Sequence, residues 1–328
     1  MDLDKISLKS LELFAAVARA GSLQQVASET SLSISTVSHH LKSLEDKLGV
    51  ALIDHKRRPM VVTPQGAAYL RHVEDAFRAL RRGQIELTAE DIGTVQNLRL
   101  GVIDDFDGEV APQLAQILAQ LLPNCTFRHR TRPSHEVLGL LARNELDLAV
   151  AATPQEAVPG IVEYPLLRDP FVMVTPASRD IPPASYVDKS AGLPFLWYPS
   201  SQLIGHQIEL QLRRNRVNFD RRYEMESNHM LLAMVAGGAG WAITTAASFM
   251  RVKRLHHQIR LHTLPVPAFA RTLSLFTTEI YSLPVTHLVY TAFRRLIDQR
   301  FVEPAVSANP WLADSFLLLD GASPADPD

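Results

Sequence analysis

Between positions 33 and 43 the chain reads Ser33-Ile34-Ser35-Thr36-Val37-Ser38-His39-His40-Leu41-Lys42-Ser43. Ser35, Thr36, Ser38, His39, His40 and Lys42 carry short or medium side chains that donate and accept hydrogen bonds, and the acids Glu45 and Asp46 come only after them. Groups of this kind can reach base edges in a duplex groove, where a carboxylate among the phosphates would be repelled. Further on, Lys56-Arg57-Arg58 sets three cations in a row before Pro59, the chemistry of phosphate or minor-groove contact. An ordinary solvated face would explain either set alone. Their closeness in one small segment favours nucleic acid.

Those residues need elements to hold them. Leu8, Leu11, Phe14, Val17 and Ala18 recur at helical spacing, and Gly21 stops that helix. Ser22 and Gln25 have capping-box spacing and start a short helix, with Leu23, Val26 and Ala27 inward, that ends near Thr30. Ser33 starts a third helix, whose apolar stripe is Val37, Leu41, Leu44 and Leu48 and whose stop is Gly49. A short helix, a tight turn and a longer helix make a helix-turn-helix, and the outward face of the longer one is the set described above. Two β-prone runs, 50–53 and 60–62, flank the basic turn and predict a hairpin, a wing with Arg57 and Arg58 at its tip.

Thr63-Pro64 then starts a longer helix. Leu70, Val73, Phe77, Leu80, Gln84 and Leu87 follow at steps of three and four, a heptad-like seam. Pairing with the same helix of a second chain would bury it, and two recognition helices would then read an inverted repeat. The other way to bury it is against the chain's own second domain.

Past residue 93 the texture changes to strand, helix, strand, helix, strand: 97–103, 108–122, 125–130, a helix from Ser134, then 146–151. That order predicts a parallel sheet with right-handed crossovers. A second run follows, with strands at 171–174 and 195–198, helices at 202–214 and 229–236, and Gly240-Trp241-Ala242-Ile243 leading into a strand. A strand at 273–276 and a helix over 285–300 close the pattern. The predicted fold class is therefore α/β behind an all-α, winged N-terminal domain. The predicted domains are 1–62, a linker helix over 63–92, a two-lobed domain over 93–302 (lobes 97–165 with 270–300, and 166–268), and a tail over 303–328. Four prolines argue against long regular structure in the tail, yet Trp311-Leu312 and Phe316-Leu317-Leu318-Leu319 are too apolar for a solvated one. They dock on the body or on a partner chain.

Residues 8–90 resemble the N-terminal region of the LysR-type transcriptional regulators. The resemblance lies in Leu11-Glu12-Leu13-Phe14-Ala15-Ala16-Val17-Ala18, Gly21-Ser22-Leu23, Val37-Ser38-His39-His40-Leu41-Lys42-Ser43-Leu44-Glu45, Leu48-Gly49-Val50-Ala51-Leu52-Ile53 and Val62-Thr63-Pro64-Gln65-Gly66. The family's usual Gln-Pro and Arg-Gln are here Ile34-Ser35 and His39-His40. The two-lobed layout likewise resembles that family's effector domain, which is like a periplasmic binding protein. The resemblance implies double-stranded promoter DNA with an inverted repeat as partner, a homodimer or homotetramer, RNA polymerase as a further partner, and a small-molecule effector. Its pocket maps onto Asp104, Asp105, Phe106, the Pro133-Ser134 turn, Ser200, Ser201 and Ser227-Asn228. Asp104, Asp105, Asp107 and Glu109 are an acidic departure from the hydroxyl residues common there; they favour an effector with an amine or other positive group, or simply stabilise the first turn of the next helix.

Other classes find little support. Gly237-Gly238-Ala239-Gly240-Trp241 follows a helix and precedes a strand, the reverse of a dinucleotide loop, and no nucleophile elbow or phosphate loop occurs. The 12 histidines are scattered, which argues against a metal site, and no cofactor is expected. Cys125 is the one cysteine, so no internal disulfide can form. Bulk charge is uninformative: the net is −2, and residues 1–90 hold 12 Lys and Arg against 11 Asp and Glu. No apolar run reaches the roughly 20 residues a membrane span needs, and the acidic start lacks a signal core, so a cytoplasmic protein is expected. The rival reading is a ligand-binding module or scaffold without DNA activity.

Overall fold

The structure is a computed structural model that describes residues 6–88, 95–264, 266–279 and 281–320, with side chains at 78, 79 and 81–88 left out. The seam position Leu87 and the expected boundary at 92/93 lie outside the described side chains and residues. The chain divides into two compact units, Met1–Leu87 and Thr88–Asp328.

The first unit contains α1 (Leu8–Ala20), α2 (Leu23–Thr30), α3 (Ile34–Leu48), β1 (Ile53–Asp54), β2 (Val61–Val62) and α4 (Pro64–Thr88). Ser7, Ser22 and Ser33 cap the first three helices, each hydroxyl accepting from a backbone N–H three residues on. The capping box at Ser22 is only half formed: the Gln25 amide donates forward to Glu29 at 2.9 Å. Leu13, Phe14, Val17, Val26, Val37, Leu41, Leu44 and Leu52 form the core, whereas Leu8, expected inward, is exposed. The strands pair Ile53 with Val62 and Asp54 with Val61, closing the wing. A methyl group on Gly66 would sit 2.0 Å from the Leu52 carbonyl oxygen, so only glycine lets α4 start this close to the wing.

The second unit opens with β3 (Asn97–Val102), a 3-10 turn over Asp104–Phe106, α5 (Ala111–Leu121), β4 (Thr126–Thr131), α6 (Ser134–Ala142) and β5 (Leu148–Ala152). Then come β6 (Ile161–Pro176), α7 (Pro183–Val187), β7 (Leu196–Trp197), α8 (Leu203–Arg214), β8 (Tyr223–Glu224), α9 (Asn228–Ala236), β9 (Ala242–Thr245) and α10 (Ala246–Met250). The unit finishes with β10 (Ile259–His262), β11 (Ala270–Thr278), α11 (Leu283–Ile297), a π-helical turn over Asp298–Val302, α12 (Glu303–Ala308) and β12 (Leu317–Leu318).

As expected, β3 lies parallel to both β4 and β5. The strand expected at 171–174 instead runs 16 residues, because its first half pairs with β11 and its second with β9 and β10. β6 and β11 are the two passages between lobes, and they run antiparallel because one leaves the first lobe and the other returns to it. This makes the sheet mixed rather than parallel.

Candidate nucleic-acid interface and ligand cleft

A helix turns about 100° per residue, which sorts the α3 side chains. Ser35, Ser38, His39 and Lys42 are exposed, with Ile34 beside them at 49% exposure. His40 turns towards α1, and Thr36 is half-exposed in the first turn. His40 shares a hydrogen bond at 3.0 Å with the buried Ser10 hydroxyl of α1, and Thr36 bonds the Ser33 cap at 2.8 Å. The assignment of His40 to the outward face is therefore corrected, because it braces α3 against α1. The acid Glu45 is consumed by the fold. One carboxylate oxygen accepts from the amides of Leu52 and Ile53 at 2.7 and 3.0 Å, and the other meets His55 at 3.0 Å. The face that stays open thus keeps Lys42 and its hydroxyls and loses this anion, with Asp46 exposed at its far end.

At the wing, Lys56, Arg57 and Arg58 are all exposed. Arg57 meets Asp54 at 3.3 Å, and Arg58 donates to the carbonyls of His55 and Arg57 at 3.0 Å. Exposed pairs of this kind are worth about 0–1 kcal/mol, so phosphate can replace them. On α4 the seam is mixed. Leu70 packs against the core of its own unit and Val73 is buried, Phe77 is half-buried, and Leu80 is 49% exposed.

In the second unit a cleft of about 250 Å³ is lined by Asp104, Asp105, Arg132, Ser134, Asn228 and Arg271, with the apolar Ile103, Leu203 and Ile204. Three helices start there, α6, α8 and α9, of which α6 and α8 lack a side-chain cap. Of the mapped pocket residues, Asp104, Asp105, Ser134 and Asn228 come together here. The Ser134 hydroxyl accepts from the Ala152 amide at 3.1 Å. Phe106 does not join them: it is fully buried, with its ring 5.3 Å from Phe293 and Phe301. Ser200 and Ser201 are exposed, and Gln202 takes the cleft position.

No local pattern points to Arg271 and Asp169, which meet across a separation of 102 positions. Arg271 donates to Asp169 at 2.9 Å, to Asp105 at 3.1 Å and to Thr245 at 3.0 Å. Asp169 is wholly buried and also accepts from the Ala247 amide at 2.9 Å. Burial drives its carboxyl above the ordinary range, and the Arg271 charge opposes that. Ser248 donates to Asp105 at 2.5 Å. Asp105 is therefore spent inside the protein. Asp104, which accepts from Asn228 at 2.9 Å, is the acid left facing the cleft with the exposed Glu226. Burial first, then repulsion from Asp105, pushes Asp104 up to about 7, with Arg251 pulling the other way. Asp107 and Glu109 pair with Arg251 and Lys253 at 3.1 and 2.9 Å.

Among the described residues no helix is long and apolar enough to cross a membrane, and no group of His, Cys, Asp or Glu is arranged to hold a metal ion.

Two family models match. The bacterial regulatory helix-turn-helix protein of the lysR family covers residues 8–67, and the LysR substrate binding domain covers residues 92–298. A probable hydrogen peroxide-inducible genes activator of Mycobacterium xenopi is 31% identical over 175 residues, 53% of this chain and 92% of that protein. The one from Mycobacterium leprae is also 31% identical over 175 residues, and there the match spans 56% of that protein's length. Among solved structures, a full-length OxyR variant from Pseudomonas aeruginosa gives a TM-score of 0.68 at 20% identity, covering 88% of this chain and 95% of that one. Full-length CbnR in complex with its target DNA gives 0.53 at 17% identity, covering 88% and 99%; both likenesses are of fold. With matching models for both units, the chain belongs to the LysR family of DNA-binding transcription regulators.

Proposed function

We propose that this protein acts in the cytoplasm, without catalytic activity, as a homo-oligomeric regulator that reads an inverted repeat in promoter DNA and responds to a small molecule held in the cleft. The carrying observation is the open face of α3. Ser35, Ser38, His39 and Lys42 stand exposed there, while Glu45 is drawn into hydrogen bonds with the wing. Ser35, Ser38 and His39 reach base edges, Lys42 reaches phosphate beside them, and Arg57 and Arg58 hold the flanking backbone.

Salt-dependent binding to the DNA upstream of its own gene tests this. Each phosphate contact contributes about one unit to the slope of log affinity against log salt. Arg57→Ala with Arg58→Ala should lower that slope by about two and weaken all sequences alike. Ser38→Ala and His39→Ala should change sequence preference instead. A wild-type protein that ignores the fragment at low salt would favour the ligand-binding scaffold.

The effector is a small cationic molecule. Nε and Nη2 of Arg271 donate to Asp169, Asp105 and Thr245, and the two carboxylates offset its charge, while Asp104 and Glu226 line the cleft beside Arg132, which is itself paired with Glu136 at 3.7 Å. Calorimetric titration with matched amines and carboxylates separates the cases, and tight binding of a carboxylate alone would remove the cationic reading. The peroxide response named for the mycobacterial relatives is not carried over through a thiol pair. Cys125 is the sole cysteine, and burial followed by the Asp147 charge pushes its thiol upward, away from the reactive thiolate.

A further inference from the structure

We propose that Ile34 is a specificity-determining residue that reads the C5-methyl group of a thymine in each half of the target site. The inference rests on the DNA-binding reading above. Ile34 is the first residue of α3, directly after the Ser33 cap. It remains 49% exposed although it is β-branched and apolar. At about 100° per residue Ser38 stands about 40°, Lys42 about 80° and Ser35 about 100° round the helix from it, all three exposed. The first turn of a recognition helix is the part that meets base edges.

An isoleucine there cannot hydrogen-bond a base. Left against water it gains nothing, and against a base pair it has one apolar partner in the major groove, the thymine methyl. Adenine, guanine and cytosine present only donors and acceptors at that edge, and these would lose water to Ile34 without recompense. Ser35 and Ser38 beside it are short enough to let the Ile34 side chain approach the groove floor. The surrounding charge suits a duplex, with Lys42 exposed on the same side of the helix.

The test uses the full-length protein and an operator obtained by selection from random duplexes. Each thymine is then replaced singly by deoxyuridine, which lacks only the methyl group. The wild type should lose about three- to fivefold in affinity at one symmetric position per half-site, the factor for withholding one methyl from apolar contact. Ile34→Ala should bind the thymine operator weaker by a similar factor and show no further loss on deoxyuridine at that position. Ile34→Val should keep part of the effect. A thermal melt of each variant checks the fold, which a half-exposed residue leaves intact. If the deoxyuridine penalty persists in Ile34→Ala, or no position shows one, the assignment is overturned while the regulator reading stands. If selection yields no bound duplex at all, both fall.

Discussion

Arg271 on β11 and Asp105 in the turn after β3 meet at 3.1 Å, with side-chain exposures of 6% and 4%. The same guanidinium holds Asp169 of β6 at 2.9 Å and the Thr245 hydroxyl of β9 at 3.0 Å. One cation thus ties both passages between the lobes to the floor of the cleft. Removing it strands two carboxylates away from water, which costs about 3–5 kcal/mol for a buried pair broken on one side. Arg271→Met should therefore lower the stability of the second unit by that amount in urea unfolding at pH 7. A loss under about 1 kcal/mol, within the range of exposed pairs, would show that the network is solvated.

Asp104 makes stability depend on pH. Its folded pKa is about 7 against an ordinary 3.8. Between those values the folded protein keeps a proton that the unfolded chain has released. Stability should then be highest below about pH 4, decline as the pH rises towards 7, and level off above. Asp104→Asn should remove this slope, equalling the wild type at low pH and exceeding it at pH 8. The gain should be on the order of 1 kcal/mol, reduced because the side chain is about one-third exposed to water. An unchanged slope in the variant would contradict the assignment. With the amine effectors proposed above, affinity should rise with pH up to about 7, as the ligand displaces that proton.

Much of this was readable from residue spacing. The serine caps, the glycine stops and the period of the α3 stripe are local signals, so the helix-turn-helix could be placed within a residue or two and the wing within about three. A wheel drawn more strictly would also have turned His40 inward, but its partner Ser10 lies 30 positions away and leaves no mark nearby. The cleft was harder. Asp104, Asp105, Ser134 and Asn228 follow strand ends and helix starts, which sequence shows. Arg271 and Asp169 sit in mid-strand among apolar neighbours, and their pairing depends on the β6–β11 register, which no local pattern encodes. Phe106 belongs to the pocket only by the family resemblance, as part of the turn after the first strand. Its ring turns instead into the apolar space between α11 and the π-helical turn.

The tail should be essential to the second unit. The match to the family domain ends at residue 298, yet Phe301, Leu312 and Phe316 beyond it are fully buried. β12 pairs Leu317 with Arg168 and Leu318 with Leu167, and the Leu319 amide donates to the Leu166 carbonyl at 3.0 Å. The segment thus docks on its own chain, along the β6 stretch that leads straight into Asp169. Phe316→Ala should cost about 3–5 kcal/mol, as for other buried aromatic residues cut to alanine. Deleting residues 303–328 should lower the thermal midpoint further and raise amide exchange along 161–168. A truncated chain that melts at the wild-type temperature would show the docking to be incidental.

Leu80 offers a way to separate dimerisation from folding on a single helix. Along α4 the seam begins inside its own unit, with Leu70 against the core and Val73 buried, and its last described side chain, Leu80, is exposed. A leucine left in water at a heptad-like position gains about 1.5–3 kcal/mol by burial, and a two-fold axis supplies that burial twice. Leu80→Lys replaces both side chains with like charges and should weaken self-association on the order of a hundredfold, read by sedimentation across a concentration series. The melting of the winged unit should not change, whereas Leu70→Lys should disrupt it. Loss of pairing should carry over to DNA. The wild type should prefer a full inverted repeat to a single half-site by a wide margin, and Leu80→Lys should bind the two nearly alike, because each recognition helix then meets its half-site alone. If Leu80→Lys stays dimeric at low concentration and keeps that preference, the subunits are joined through another surface.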